Sequence, residues 1–185
     1  MIATSGKIKP IILIAVLILP VGIFLFLKKF GENRFEVPIY HEKGLVFEGE
    51  GCNTESAPHI VPAILPGYSY ESGLSIIFFR EMDWNVPGGE YEQVVRVCEF
   101  IEDKPVRTFR ISENSLEGSL CVSDVSVEKE KVEVWKKCGF ALDDVGQWVL
   151  VDDLGRIRGY YEIDDREEAD RLFMEIDILL ENKGK

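Results

Sequence analysis

Residues 74–102, LSIIFFREMDWNVPGGEYEQVVRVCEFIE, constrain the fold more than any other stretch of this 185-residue chain. Leu74, Ile76, Ile77, Phe78 and Phe79 form a short apolar run rich in branched and aromatic residues. That is the pattern of a strand covered on both faces, as in a sheet flanked by helices. Arg80, Glu81 and Asp83 end the run, and Asn85, Pro87, Gly88 and Gly89 punctuate a loop. Beyond it Tyr91, Val94, Val95, Cys98 and Ile101 recur at three- and four-residue steps, which places them on one helical face. Glu90 and Glu92 fall in the first turn, where the helix dipole favours negative charge. A helix N-terminus beside a loop can activate a thiol or bind an anion or metal. This loop offers neither Cys nor His for that use. Cys98 lies well inside the helix on its apolar side, where a thiol is expected to be buried and inert.

Ahead of this unit, residues 11–27 (IILIAVLILPVGIFLFL) carry no charge and are followed by Lys28 and Lys29. The length suits a membrane helix at the lower end of the usual range, and Pro20 is tolerated in such helices. A cleaved signal peptide would have a shorter apolar core and a small-residue cleavage site. No A-x-A pattern follows, nor a Cys to accept a lipid, so the expectation is an uncleaved single anchor. The expected organisation is a tail over residues 1–9, the anchor over 10–29, a linker or edge arm over 30–50, and one domain over 51–182. Lys7 and Lys9 oppose Lys28 and Lys29, so the positive-inside rule does not orient the anchor.

Charge restricts the partners. The net charge is −12, and the four lysines around the apolar run are the only charges before Phe30. From Phe30 onward 17 basic residues face 33 acidic ones, a balance of −16. A domain that acidic repels phosphate backbones, so nucleic acid is not an expected partner. It also stands off from anionic lipid headgroups. The four cysteines, Cys52, Cys98, Cys121 and Cys138, are widely spaced with no C-x-x-C. An exported domain could join two of them, and Cys121 with Cys138 is the candidate disulfide, although spacing does not fix connectivity.

Along the chain, Phe35, Val37 and Ile39 alternate in a way that suits an edge strand or extended arm. His41 stands alone as a surface residue. Pro58, Pro62 and Pro66 forbid a helix, and residues 59–62 read as a short strand before a turn at Pro66-Gly67. His59 and Cys52 are two potential metal ligands, too few for a structural zinc site; turn and packing roles are expected there. Residues 106–112 alternate as a second core strand, and residues 113–126 read as a polar loop. Residues 128–138 suit a helix with Val132, Trp135 and Cys138 inward and Gly139 as C-cap. Residues 148–151 and 156–161 form a hairpin around Asp152-Asp153-Leu154-Gly155. Asp164 or Asp165 caps the last helix, with Glu168 completing a capping-box pattern. Ala169, Leu172, Phe173, Ile176, Leu179 and Leu180 form its buried face.

The order strand–helix–strand–helix–strand–strand–helix is thioredoxin-like, an α/β sandwich with a mixed central sheet flanked by helices. The final third, WVLVDDLGRIRGYYEIDDREEADRLFMEIDILLEN, resembles the closing hairpin and helix of the Sco/SenC family. These are membrane-anchored thioredoxin-fold proteins that help deliver copper to cytochrome c oxidase. The resemblance spans residues 35–180 and is strongest from Trp148 onward, in V-D-D-x-G-x-I-x-G-Y-Y. It implies a single-pass protein of the cytoplasmic membrane with its domain on the periplasmic side.

The family's copper site uses a C-x-x-x-C loop after the central strand and a His shortly before the hairpin. Here the loop holds Met82, Asp83, Trp84, Asn85, Pro87 and Gly88, with no cysteine; matched instead to a thioredoxin W-C-G-P-C loop, Trp84-Asn85-Val86-Pro87-Gly88 puts Asn85 and Gly88 where the cysteines would be. Asp144 occupies the position of the family's His. Cu(I) prefers thiolate and thioether ligands, and Met82 alone does not replace the missing set. No cofactor is therefore expected; copper would return only under a different alignment of the loop. The leading expectation is a degenerate, non-catalytic binding or assembly domain with a protein partner in respiratory oxidase biogenesis. The alternative is a thiol-disulfide oxidoreductase or copper chaperone working through displaced cysteines. A third reading, hard-cation binding by Asp83, Asp143, Asp144, Asp152 and Asp153, competes with plain solvated turns.

Overall fold

The computed structural model describes residues 16, 18–26, 36–45, 52, 57–63, 69–70, 73–79, 89–113, 121–142, 147–162 and 164–183. The chain divides into two units, Met1–Glu36 and Val37–Lys185. In the first, residues 16 and 18–26 are helical and exposed. Among the described residues no helix is long and apolar enough to cross a membrane. The rest of the expected 10–29 anchor lies outside them.

The second unit is built on strand β1 (Leu74–Phe78), followed by helix α1 (Gly89–Ile101) and strand β2 (Val106–Ser112). Strand β3 (Val122–Ser126) comes next, then helix α2 (Lys129–Val134), which runs into a π-helical turn, Trp135–Gly139. Strands β4 (Gln147–Val151) and β5 (Ile157–Glu162) and helix α3 (Arg166–Lys183) complete it. The five strands form one mixed sheet in the order β3-β2-β1-β4-β5. The apolar run predicted as central is central. It pairs parallel with β2, Ile77 opposite Phe109, and antiparallel with β4, Ile77 opposite Val149.

Side chains alternate across β1 and β4, so the sheet has two apolar faces. Leu74, Ile76, Phe78, Trp148 and Leu150 point to one face, where Val94, Val97 and Ile101 of α1 and Ala169, Leu172, Ile176 and Leu179 of α3 cover them. Phe78 and Trp148 stack there at 4.3 Å between ring centroids. Ile77, Phe79, Val149 and Val151 point to the other face, beneath Val132, Phe140 and Leu142. This is the sandwich expected from the sequence. Within α1, Val97 is a core residue that the spacing argument missed, while Tyr91 and Val95 are only half-buried.

Strand β3 corrects the reading of residues 113–126 as a polar loop. It is an edge strand with a single fully buried apolar residue, Val125, so its pattern is too weak to declare it. It pairs parallel with β2, and Asp124 accepts a 2.7 Å bond from Arg110, whose side chain is fully buried. The end of the α2 segment is also corrected. Gly139 does not cap an α-helix; it closes a π turn, and the Phe140 N–H donates to the Trp135 carbonyl at 2.8 Å. At α3 the cap is Asp165, whose Oδ1 accepts the Glu167 N–H at 2.8 Å. Glu168 turns its carboxylate to Arg171 instead of completing a capping box.

The arm ahead of β1 is extended but irregular. The Tyr40 N–H donates to the Ile157 carbonyl at 2.9 Å, and Arg158 donates to the Val37 carbonyl, laying residues 37–40 beside β5. No strand forms over residues 59–62, contrary to expectation. Individual bonds fix them instead: Val61 N–H to the Gly155 carbonyl at 2.8 Å, and the Tyr70 hydroxyl to the Pro62 carbonyl at 3.0 Å. Gly155, at φ 75°, turns the β4–β5 hairpin; a Cβ there would sit 3.0 Å from Ile60 Cγ2.

Candidate functional site

The loop expected to be the working end follows Phe79, at the C-terminal end of β1. Residues 80–88, with Met82, Asp83, Trp84, Asn85, Pro87 and Gly88, lie outside the described residues, as do Asp143 and Asp144. What the structure describes is the chemistry gathered beside that end of the sheet.

The expected Cys121–Cys138 pair is not formed. Cys121 is joined to Cys98 and Cys138 to Cys52, with Cα separations of 5.3 and 5.2 Å. The reason is topological. Cys98 on α1 and Cys121 before β3 pack against the α1–α3 face of the sheet. Cys138 belongs to the turn that follows α2, on the opposite face. A disulfide reaches only about 4.4–6.8 Å between Cα atoms, so it cannot cross a sheet layer. Cys98, expected to be an inert buried thiol, is half-buried and bonded, and its Sγ accepts the Cys121 N–H at 3.3 Å. No cysteine of the chain is free.

Around Cys138 the structure assembles residues that the sequence left scattered. His59 is 2% exposed, and its Nε2 lies 2.7 Å from the carbonyl of Gly139, the residue after Cys138. A carbonyl only accepts, so Nε2 carries the hydrogen and Nδ1 keeps a lone pair. Nδ1 is buried and has no hydrogen-bond partner. The His59 N–H donates to the His41 carbonyl at 3.1 Å, and the two imidazoles meet edge to face at 6.4 Å. His41 Nε2 lies 3.0 Å from the Tyr160 hydroxyl, which donates to the Phe140 carbonyl at 3.0 Å. With the phenol proton committed there, His41 Nε2 is the donor toward Tyr160.

Pro62 crosses the same turn, and a Cβ on Gly139 would lie 3.0 Å from Pro62 Cγ and 3.2 Å from Cδ. Phe140 meets Phe79 edge to face at 5.0 Å, which ties the cluster to the end of β1. Thus residues 138–140 carry a disulfide and accept bonds from His59 and Tyr160, and His41 joins the cluster through both of these. Read singly, His41 looked like a surface residue and His59 like packing. The one sequence signal available was that the two histidines flank Cys52 in a Pro-rich arm.

The Asp-rich turn is a separate structural hub. Asp152 is 2% exposed; its Oδ1 accepts the backbone N–H groups of Leu154 and Arg156 at 3.0 and 2.9 Å. Its Oδ2 accepts Arg156 Nε at 2.8 Å and Arg158 Nη1 at 3.1 Å. Burial alone would raise this carboxyl, but the Arg156 side-chain and backbone bonds, the Arg156 charge and the Arg158 bond together hold it below its ordinary value. Both oxygens are engaged by cations and N–H donors, so Asp152 is not poised for a hard cation. Among the described residues no three His, Cys, Asp or Glu side chains are grouped to hold a metal ion.

No family model matches the chain, and no curated protein matches it. Solved structures do. One is of BsSco, a member of the Sco family of cytochrome c oxidase assembly proteins in which a disulfide switch was identified. It is 13% identical with a TM-score of 0.46, over 58% of this chain and 80% of that one. A second is a SCO1/SenC family lipoprotein from Bacillus anthracis str. Ames, 9% identical with a TM-score of 0.46, over 58% and 82%. A third is the mitochondrial 2-cys peroxiredoxin from Plasmodium falciparum, 13% identical with a TM-score of 0.43, over 62% and 81%.

Proposed function

We propose that this chain is a membrane-anchored, Sco/thioredoxin-like domain that binds or assembles a partner protein and performs no thiol or copper chemistry at its β1–α1 loop. One observation carries the reading: every cysteine is committed to a disulfide between separate elements, while the loop sequence itself has none. A soft-metal or exchange site at that loop has no sulfur to work with except Met82. Two disulfides in one domain support an oxidising compartment, hence the periplasmic side of a cytoplasmic membrane. The uncharged run at 11–27, whose described helical residues are exposed all round, supports an anchor. The partner suggested by the Sco/SenC resemblance is a respiratory oxidase subunit. The domain's acidity supports a partner with a basic face.

The test is crosslinking and co-purification of the full chain from native membranes, beside a strain lacking residues 30–185. Loss of a specific crosslinked partner, together with impaired oxidase assembly, is the expected result. Unchanged assembly and an unchanged set of co-purified proteins would sink the reading. In parallel, anaerobic titration with Cu(I) against a competing chelator should show no tight one-to-one binding. Tight binding would restore copper delivery.

A further inference from the structure

We infer that His59 is a proton-operated catch: a proton taken up at Nδ1 lifts residues 40–44 and 59–61 off the turn that follows α2. The catch is a closed circuit of bonds. His59 Nε2 donates to the Gly139 carbonyl at 2.7 Å, and the His59 backbone N–H donates to the His41 carbonyl at 3.1 Å. His41 Nε2 reaches the Tyr160 hydroxyl at 3.0 Å, and that hydroxyl donates to the carbonyl of Phe140, the residue after Gly139. The circuit thus joins the arm, the segment around His59, the π turn and β5. It borders strained backbone at two places. His41 and Ala141 stand at φ 55° and 51°, left-handed conformations that a residue with a Cβ adopts at a cost. Strain of that kind persists only where surrounding bonds hold it.

His59 is 2% exposed, and its Nδ1 is buried without a hydrogen-bond partner. A proton there would bury a charged N–H with no acceptor, which is far costlier than a neutral unpaired nitrogen. With Nε2 on a carbonyl and Nδ1 on nothing, no carboxylate reaches the imidazole among the described residues. Nor do the charged groups on the packed elements compensate. On the turn, Lys136 is held by Glu133 at 3.0 Å and Lys137 is exposed. On the arm, His41 meets His59 at 6.4 Å between ring centroids, and Glu42 and Lys43 are exposed. On β5, Arg158 is engaged by Asp152 and Glu162 is exposed. The Tyr70 and Tyr160 hydroxyls donate to the Pro62 and Phe140 carbonyls, and the Cys52–Cys138 disulfide does not titrate. Only an imidazole swung out to water accepts the proton, so acidification draws the open form by mass action. Cys52–Cys138 keeps the arm joined to the turn, which makes the opening local and reversible. What it bares is Phe140, packed on Phe79 at the end of β1.

The test is amide hydrogen exchange of the full chain, disulfides intact, from about pH 7.5 to about pH 5, each rate corrected for the intrinsic rate at that pH. An imidazole in water titrates near 6.5, so a proton taken by the open form alone raises its population about thirtyfold over that range. The Tyr40, Gly44, His59 and Val61 amides should lose protection by about that factor while β1 and β4 keep theirs. His59→Gln keeps a donor for the Gly139 carbonyl and takes no proton, so protection at those amides should no longer depend on pH. His41→Gln should retain the dependence. The proposal is overturned by constant protection in the native chain, or by a loss that starts only below about pH 4.5, where carboxyls titrate. A loss shared equally by β1 and β4, an unaltered response in a folded His59→Gln chain, or a response abolished by His41→Gln would overturn it too. Should His59→Gln fail to fold, the pH range and location of the loss in the native chain decide alone. None of these readouts depends on a crosslinked partner, so the partner-binding reading stands or falls separately.

Discussion

Asp152 shows how much one side chain can hold. Its four accepted bonds close the hairpin turn and fix Arg156, just before the returning strand, and Arg158 within it. Removing one member of a buried charge cluster leaves the others unpaired, which costs about 3–5 kcal/mol. Asp152→Ala should therefore lower the unfolding free energy by about 3 kcal/mol, read as a lower urea midpoint at unchanged m-value. The pH dependence has a definite sign. A carboxyl held below its ordinary value in the folded state contributes stability that is present above the unfolded value of 3.8 and lost as pH falls through the folded one. The native chain should thus lose stability below about pH 4, and Asp152→Ala should show a shallower loss over that range. The sequence displayed Asp152 as one of two turn acids and did not tell it from Asp153. What separates them is which one faces Arg156 and Arg158 once β5 has paired, a fact of register. Gly139 is a second case. Its Cβ would press on Pro62, a rigid ring that cannot swing away. Gly139→Ala should cost about 1–3 kcal/mol in the same urea assay, and a neutral result would show that the arm yields.

At the scale of elements, what the sequence revealed and what it hid follow from pattern strength. Strands β1, β2 and β4 bury nearly every residue, so their apolar runs declare them. Helix α3 presents a clean three- and four-residue stripe that marks its buried Ala169, Leu172, Ile176 and Leu179, with Phe173 and Leu180 half-buried beside them. Strand β3 buries a single apolar residue and holds its place through its ladder with β2 and the Arg110–Asp124 pair, neither of which leaves a periodic trace. The disulfide pairing failed for a similar reason: which cysteines meet depends on which face of the sheet each element covers. The Cys98–Cys121 link staples α1 to the start of that weak strand across 23 residues. Closing a loop of that length restrains the unfolded chain by about 2–4 kcal/mol on an entropic account. Cys98→Ser/Cys121→Ser should lose about that much by urea denaturation, and amide hydrogen exchange should speed up first in β3. Protection lost uniformly across the sheet would mean that the bond restrains the whole domain and not its edge.

At the scale of the molecule, the decisive contrast lies between residues 11–27 and everything after Phe30. The first stretch is uncharged and the second carries a balance of −16. An acidic domain has no electrostatic attraction to an anionic bilayer surface, so any membrane attachment must come from the apolar run and the lysines that flank it. Burying some 17 mainly apolar residues in hydrocarbon is an insertion that salt or alkali does not reverse, unlike surface adsorption. The full chain should therefore stay with the membrane pellet through high salt and alkaline carbonate. A chain beginning at Val37 should move entirely to the supernatant while keeping both disulfides, because Val37–Lys185 is a compact unit that contains all four cysteines. Added protease should digest the domain in spheroplasts with intact membranes, since only the outer side is oxidising enough to form those bonds. Protection from protease, or free thiols on rapid alkylation in cells, would place the domain on the reducing side. The disulfides would then form only after lysis, and the exported assembly role would have to be abandoned.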